Sequence, residues 1–338
     1  MANPILVSTG SSKLRLGLIG CGVVGRRHAG QLRGDSRVEL VVCCDPAIQA
    51  ARGLRDEFAP QAAVETDAFR ALAEHRLQAV VIGSPTQMHY EHCCRAFDLG
   101  LAVLCEKPLA ARREEIVDLI DRSRGKGHFL MVGYQRRYRA PYATARRELT
   151  ERAEWYGPLK QVHVYVCERW QQTIRGTWRD DPQVGAGYFG DAGSHQIDIV
   201  NFITGRRPVK VFAASEQRGS QVEITTQVMG RLDGGAGLLA HFVGDANHWR
   251  EDIYFHCRDG DLLLRSEKLY RAKSNHTEQI FDLLPDSSPD RAFADWLLDG
   301  KPMVSPPEIA LPMHDWTAAV LKSAKEGSWV EVEPAVPA

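Results

Sequence analysis

The chain has 338 residues, 44% of them apolar and 25% charged, which supplies a large buried core and lies outside the composition of disordered segments. Its 42 Lys+Arg balance 43 Asp+Glu to a formal net charge of -1, so it carries no field that would draw a polyphosphate backbone or an anionic membrane surface, and no nucleic-acid or membrane partner is expected. At about 150 residues per domain the length predicts two domains.

Met1 to Ser12 has no basic region and no apolar run beyond Ile5-Leu6-Val7, too short for a signal peptide or a span, and reads as a loose leader over 1–12. The apolar run Leu14 to Ile19 then leads through Gly20-Cys21-Gly22-Val23-Val24-Gly25 into a segment of helical composition, Arg26 to Arg33: strand, glycine turn, helix. A second run, Val38 to Cys44, ends in Asp45-Pro46 and precedes a helical segment, Ala47 to Phe58. A third, Gln78 to Ile82, passes through Gly83-Ser84-Pro85 into a helix ending at Gly100, and a fourth, Leu101 to Leu104, stops at Cys105-Glu106-Lys107-Pro108. Short strands alternating with helices predict a parallel sheet.

A helix at Glu114 to Arg124 and a strand near Phe129 to Val132 follow, and the texture changes at Gly133-Tyr134-Gln135-Arg136-Arg137-Tyr138, which sets the expected division at 13–133 and 134–338. The second half offers longer strands at Lys160 to Cys167, Val209 to Ser215, Gln221 to Leu232, Gly237 to Val243, Ile253 to Cys257 and Asp261 to Leu264, with a glycine-rich segment from Gly185 that turns into a helix before Gly205. This is the pattern of a mixed or antiparallel sheet with helices on one face, against which two late helices, Ala292 to Leu298 and Glu308 to Lys325, are expected to pack. The eight cysteines, at 21, 43, 44, 93, 94, 105, 167 and 257, lie mostly in apolar runs without CxxC spacing, as reduced thiols of a cytoplasmic protein do.

Three groups of residues point to chemistry. In the glycine turn, Gly20 permits the bend, Gly22 lets the backbone approach a pyrophosphate, and Gly25 allows close packing of helix on strand. The helix N-terminus presents N–H groups to the phosphates. Asp45, twenty residues beyond Gly25 at the end of the next strand, is placed to accept the ribose hydroxyls and to repel a 2′-phosphate, which favours NAD over NADP; Asp45 could instead simply open the turn before Pro46. Arg26 and Arg27 are the nearby cations available to an extra phosphate.

Lys107 closes a parallel strand at the carboxyl edge, where such sheets bind ligands, and could hydrogen-bond or deprotonate a substrate hydroxyl; Lys-Pro after a strand is also a common surface turn. Asp191, His195 and Asp198, spaced by four and three, fall on one face of a helix, where a carboxylate can fix the imidazole as a general base. A core histidine, an N-cap role for Asp191 and a metal pair compete with that reading, the last without an evident third or fourth ligand, so no metal is expected.

Together these residues resemble the glucose-fructose oxidoreductase, inositol dehydrogenase and rhizopine catabolism (Gfo/Idh/MocA) family. The resemblance rests on Gly20-Cys21-Gly22 with Gly25 and His28; Ser84-Pro85-Thr86 with His89; Glu106-Lys107-Pro108-Leu109; Gly133-Tyr134 to Arg137-Tyr138; Trp178-Arg179 leading to Asp191, Gly193, His195 and Asp198; and Ala318 to Val332. It implies an N-terminal Rossmann domain with a parallel, doubly wound sheet and a C-terminal α+β domain whose open-faced, mostly antiparallel sheet commonly mediates dimers or tetramers. It also implies that Gly20, Cys21, Gly22, Val23, Val24, Gly25, Asp45, Ser84, Pro85, Thr86, His89, Glu106 and Lys107 surround NAD, and that Lys107, Asp191 and His195 carry catalysis on a sugar or cyclitol hydroxyl.

Tyr134, Arg137, Trp170, Trp178 and Arg179 are candidate contacts to a polyhydroxylated ligand, because sugar faces stack on aromatic rings and guanidinium groups donate to hydroxyls, or else contacts between domains or subunits; Asp198 is a candidate to accept a neighbouring substrate hydroxyl or to support its helix. Two places depart from the family pattern: Thr86 stands where Asn is frequent, and Tyr188-Phe189 interrupt the glycine run before Asp191. Some relatives oxidise a glycoside transiently and eliminate the aglycone, so NAD-dependent hydrolysis is an alternative, and a non-catalytic NAD-binding sensor is another.

Overall fold

The computed structural model describes residues 13–125, 128–183 and 186–333; the leader expected at 1–12 and Gly185 lie outside the described residues. The chain divides into two compact units. The first runs to Tyr138 and resumes at Ser287–Leu311, and the second comprises Arg139–Asp286 with the chain from Pro312 onward.

The first unit begins β1 (Leu14–Ile19), α1 (Val23–Leu32), β2 (Val38–Cys44), α2 (Ile48–Phe58), β3 (Ala63–Glu65), α3 (Ala68–Glu74), β4 (Ala79–Ile82), α4 (Thr86–Asp98), β5 (Ala102–Cys105), α5 (Arg113–Gly125) and β6 (Leu130–Val132). All six strands run parallel in the order β3-β2-β1-β4-β5-β6. The order reverses between β1 and β4, and ligands of doubly wound sheets bind at the carboxyl ends beside that point. The central strands are apolar on both sides because helices cover both faces: Leu16, Leu18, Val80, Val81, Val103 and Leu104 are buried, each contributing about 1.5–3 kcal/mol by leaving water. The short β3 and α3 were not expected from the sequence, whose apolar pattern there is weak.

The second unit contains α6 (Ala140–Glu151), α7 (Ala153–Tyr156), β7 (Leu159–Cys167), α8 (Trp170–Ile174), a π-helical turn (Phe189–Gly193) continued by α9 (Ser194–Thr204), and β8 (Pro208–Glu216), β9 (Thr225–Leu232), β10 (Gly237–Val243), β11 (Arg250–Cys257), β12 (Asp261–Arg265), β13 (Lys268–Lys273) and β14 (His276–Gln279). After α10 (Pro289–Asp299) the chain closes with α11 (Ala310–Glu326) and β15 (Val330–Glu331). The sheet has nine strands in the order β14-β13-β12-β11-β7-β10-β9-β8-β15, antiparallel except for the β7–β10 pair. Alternation decides its faces: Val162, Val164 and Val166 of β7 are buried while His163 and Tyr165 are exposed.

Two expectations are corrected. The boundary falls after Tyr138 rather than at Gly133, and α10, expected on the second half, belongs to the first unit. Phe293, Ala294 and Leu297 of α10 join the same core cluster as Leu14, Leu18, Ala29 and Leu32. Local signals make α10 a helix, with Ser288 accepting the Arg291 N–H at 3.1 Å, Pro289 in the first turn and Gly300 ending it at φ +66°, but they do not say which core receives it.

Candidate functional site

The glycine turn is built as its sequence requires. Gly20 has φ +93°, and a Cβ there would stand 2.5 Å from the backbone of Gly83; a Cβ at Gly25 would stand 1.9 Å from the Gly20 carbonyl oxygen. At Gly22 a Cβ would meet no atom within 4 Å, so the space before the N-terminus of α1 is open. Val23 is 88% exposed beside it. These residues fit a dinucleotide: a close-packed turn, an open approach and a helix start with no side-chain cap.

Asp45 opens the turn toward α2, one of the two roles that the sequence left open, and also braces the glycine turn. Its Oδ2 accepts the Cys21 N–H at 2.8 Å, tying β2 to the glycine turn, and its Oδ1 accepts the Ala47 N–H at 2.9 Å, starting the turn toward α2. Each carboxylate oxygen keeps a second lone-pair direction for a ribose hydroxyl. Arg26 ion-pairs with Glu57 and lies over the Phe58 ring, while Arg27 donates to Glu106 at 2.7 Å, so both cations are engaged within the unit.

Ser84, Pro85 and Thr86 form the turn from β4 into α4, and Ser84 Oγ lies 3.0 Å from His92 Nδ1. His89 is 1% exposed, and its two nitrogens lie 2.8 Å from the carbonyl oxygens of Pro108 and Ser84. It clips the two carboxyl-edge loops together, and burial lowers its pKa.

Glu106 is buried at the tip of β5. Arg27 and His28 Nε2, at 2.7 and 3.1 Å, meet its Oε1, and the backbone N–H of Lys107 donates to its Oε2 at 3.1 Å. Burial raises its pKa, but the hydrogen bond and charge of His28, with Arg27 and Lys107, outweigh burial and bring it down to about 2. Lys107 itself is half-buried. Tyr134 and Arg137 are buried, the guanidinium lying 5.9 Å from the Tyr134 ring centre and donating to the Val304 carbonyl at 3.1 Å.

In the second unit Asp191 stands on the π-helical turn, not on the α-helix that carries His195. The wider i→i+5 turn makes four residues fall short of a full revolution, so the uniform helix expected across Asp191, His195 and Asp198 is replaced by a π-to-α junction. Asp191 does not cap α9, whose N-cap is Gly193; its Oδ2 accepts Arg179 Nε at 3.0 Å. Arg179 stacks over Trp178, 4.3 Å from the ring centre, and Trp178 is 49% exposed. His195 is half-buried, and Asp198 is 1% exposed, a location that suits support of the helix.

The departures Tyr188 and Phe189 are core residues: Phe189 packs on Phe242 and Trp316 at 5.0 and 4.9 Å between ring centres, and Tyr188 on Trp170 at 5.4 Å. Trp170 is accordingly buried.

Two residues that sequence reasoning missed hold this turn. Glu223 places its carboxylate 3.1 Å from the Phe189 N–H and accepts Thr226 Oγ1 at 2.6 Å, so an acid meets the positive end of the helix. Burial pushes its pKa up to about 6, against the pull of those hydrogen bonds. Glu251 is buried and receives Gln196 Nε2 at 2.7 Å and Tyr142 Oη at 2.5 Å, fastening α9 to β11 and α6. An acid in an alternating strand, Glu251 on the same buried face as the apolar Ile253 and Phe255 that follow it, was the available signal for the second.

Among the described residues no group of three or more His, Cys, Asp or Glu is disposed to hold a metal, and no helix is long and apolar enough to cross a membrane. All eight cysteines are free, seven of them buried.

The chain is similar to a D-glucoside 3-dehydrogenase of Escherichia coli K12, 28% identical over 204 residues (59% of this chain, 56% of the relative), and to an inositol 2-dehydrogenase of Rhizobium meliloti 1021, 29% identical over 211 residues (60% and 58%). It thus spans a little over half the length of these curated relatives. The crystal structure of scyllo-inositol dehydrogenase from Lactobacillus casei, with bound NAD(H) and scyllo-inositol, shares the fold at a TM-score of 0.81 and 18% identity, covering 95% of this chain and 99% of that one. Residues 14–134 match the oxidoreductase family described by its NAD-binding Rossmann fold, and residues 143–263 match the GFO/IDH/MocA C-terminal domain. With both of its units matched in the family's own order, the chain belongs to the GFO/IDH/MocA oxidoreductases.

Proposed function

We propose that the protein is an NAD-dependent dehydrogenase that moves a hydride between a hydroxyl-bearing carbon of a sugar, sugar derivative or cyclitol and the nicotinamide ring. The observation that carries this reading is the placement of Lys107 directly after β5, at the carboxyl edge of the same parallel sheet whose β1 and β2 ends hold the glycine turn and Asp45. A dehydrogenase needs its cofactor and its proton-handling group at one edge.

Bound NAD supplies the hydride acceptor. His195, oriented by Asp191, takes the hydroxyl proton as general base. Lys107 Nζ donates to the reacting oxygen and stabilises the negative charge that develops there. Trp178 and Arg179 offer a stacked apolar and cationic surface to a sugar face, Tyr134 and Arg137 add polar contacts, and Asp198 supports the helix behind His195. The E. coli and Rhizobium relatives act on a D-glucoside and on inositol by name, which supports a small polyhydroxylated substrate.

We also propose that copies of the chain associate through the outer face of the nine-stranded sheet, as a homodimer or homotetramer. Tyr165, Met229 and Leu239 are 38%, 47% and 37% exposed there on adjacent strands, an apolar patch that association would cover. Eight free thiols suit a reducing cytoplasm.

The test is a panel of sugars, sugar acids, glycosides and cyclitols with NAD and NADP separately, read as NADH absorbance at 340 nm and, for glycosides, as aglycone release. Lys107→Ala should abolish turnover while leaving NAD binding within a few-fold. Near wild-type turnover in that variant would remove Lys107 from the mechanism.

A further inference from the structure

Behind Lys107 lies a buried chain of charges that no part of the proposed mechanism uses. His28 on α1 is buried with its Nδ1 2.9 Å from both oxygens of Asp290 and its Nε2 3.1 Å from Glu106 Oε1. An ionised carboxylate only accepts hydrogen bonds, so a ring placed between two of them must donate from both nitrogens and is held as the imidazolium. Arg27 supplies the second cation to Glu106, so the four groups alternate in sign: Asp290, His28, Glu106, Arg27. The far oxygen of Glu106 then accepts the backbone N–H of Lys107 at 3.1 Å.

A separate observation shows that the seat of Glu106 is shaped for it. A Cβ at Gly133 would lie 3.1 Å from the Glu106 carboxyl carbon and from its Oε1, so the glycine leaves the carboxylate its room. Asp290 reaches this place from the segment Ser287–Leu311, which returns to the first unit between the two parts of the second, 262 residues beyond His28.

We propose that Asp290 is a positioning residue for Lys107, acting through His28 and Glu106. The proposal deepens the reading of Lys107 as the group that meets the substrate hydroxyl and rests on it. Electrostatics gives the device its stiffness: His28 and Glu106 are each buried between two partners of opposite sign, Asp290 is buried at one end and the partly exposed Arg27 closes the other, and removal of the buried end leaves its neighbour uncompensated. The burial of His28 lowers its proton affinity, but the charge and hydrogen bond of Asp290, joined by those of Glu106, raise its pKa to about 10.

The experiment compares wild type, Asp290→Ala and Asp290→Asn in the full chain. Trace acetylation with peptide mapping by mass spectrometry reads the reactivity of the Lys107 amine against the exposed Lys160 and Lys268 of the second unit, with and without NAD. Asp290→Ala is expected to change the Lys107 ratio several-fold, to lower kcat by about 10–100-fold as displaced catalytic groups do, and to leave NAD affinity within a few-fold. Asp290→Asn keeps the shape and a hydrogen bond while removing the charge, and should give a smaller change in the same direction.

A purely structural role for Asp290 would lower the melting temperature while the Lys107 ratio and the kcat per folded molecule stayed at wild type; that result overturns the proposal. Should Asp290→Ala not fold, an unchanged Lys107 ratio in Asp290→Asn overturns it equally. Acetylation does not depend on turnover: if wild type oxidised no polyol, the dehydrogenase reading would fail while the labelling ratio still decided the role of Asp290.

Discussion

The carboxylate of Asp45 accepts the backbone N–H of Cys21 at 2.8 Å, so the acid expected to bind ribose also fastens the turn expected to bind pyrophosphate. Asp45→Ala therefore removes the expected ribose contact and an observed brace together. We expect NAD affinity to fall by about 10–100-fold, the worth of one or two charged hydrogen bonds, with a smaller loss for NADP because the repulsion of a 2′-phosphate also disappears. Titration calorimetry with both nucleotides measures this; an unchanged ratio of the two affinities would show that Asp45 does not select between them.

Gly22 and Gly25 make opposite predictions. Gly25→Ala drives a methyl into the Gly20 carbonyl and should cost about 1–3 kcal/mol of stability or more, visible as a lower melting temperature without ligand. Gly22→Ala places its methyl in open space, with φ at -70°, and should leave the free protein within about 0.5 kcal/mol of wild type. NAD binding should nonetheless weaken, because that is the space expected for the pyrophosphate. Normal NAD affinity in Gly22→Ala would place the phosphates elsewhere.

Arg179 and Asp191 form a partly exposed pair, so breaking it should change stability by no more than about 1 kcal/mol. Kinetics should separate their roles. Arg179→Ala should raise KM for the polyol with kcat within a few-fold, as loss of a binding contact does. With Asp191 orienting His195 as proposed, Asp191→Ala should lower kcat by about 100-fold or more. Equal kcat losses in both variants would mean that the pair acts as one unit.

The pH dependence of stability should report His28. Its pKa in the native protein is raised to about 10 by Asp290 and Glu106, against burial, from an ordinary value of 6.5. Between these values the native state binds a proton that the unfolded chain has released, so the stabilisation is complete below 6.5 and is lost as pH rises toward 10. Glu106, lowered to about 2, works at the other end: its contribution is present above about 4.5 and disappears as pH falls. Melting temperatures of wild type and His28→Gln from pH 6 to 10 should converge as pH rises. Parallel curves would show that His28 carries no extra proton.

The sequence by itself determined the elements whose signals are local. The glycine turn, Asp45 at the strand end, the alternation of β7 and Lys107 after β5 were legible because turn geometry and side-chain period act over a few residues. Tertiary structure alone decided which core takes α10, that Asp191 sits on a π-turn, and that His89 clips two loops together. It also brought Glu223 to the Phe189 N–H from 34 residues away and Asp290 to His28 from 262. No local pattern announces such partners. A buried charge is stable only beside its complement, and only the completed topology determines which distant residue supplies it.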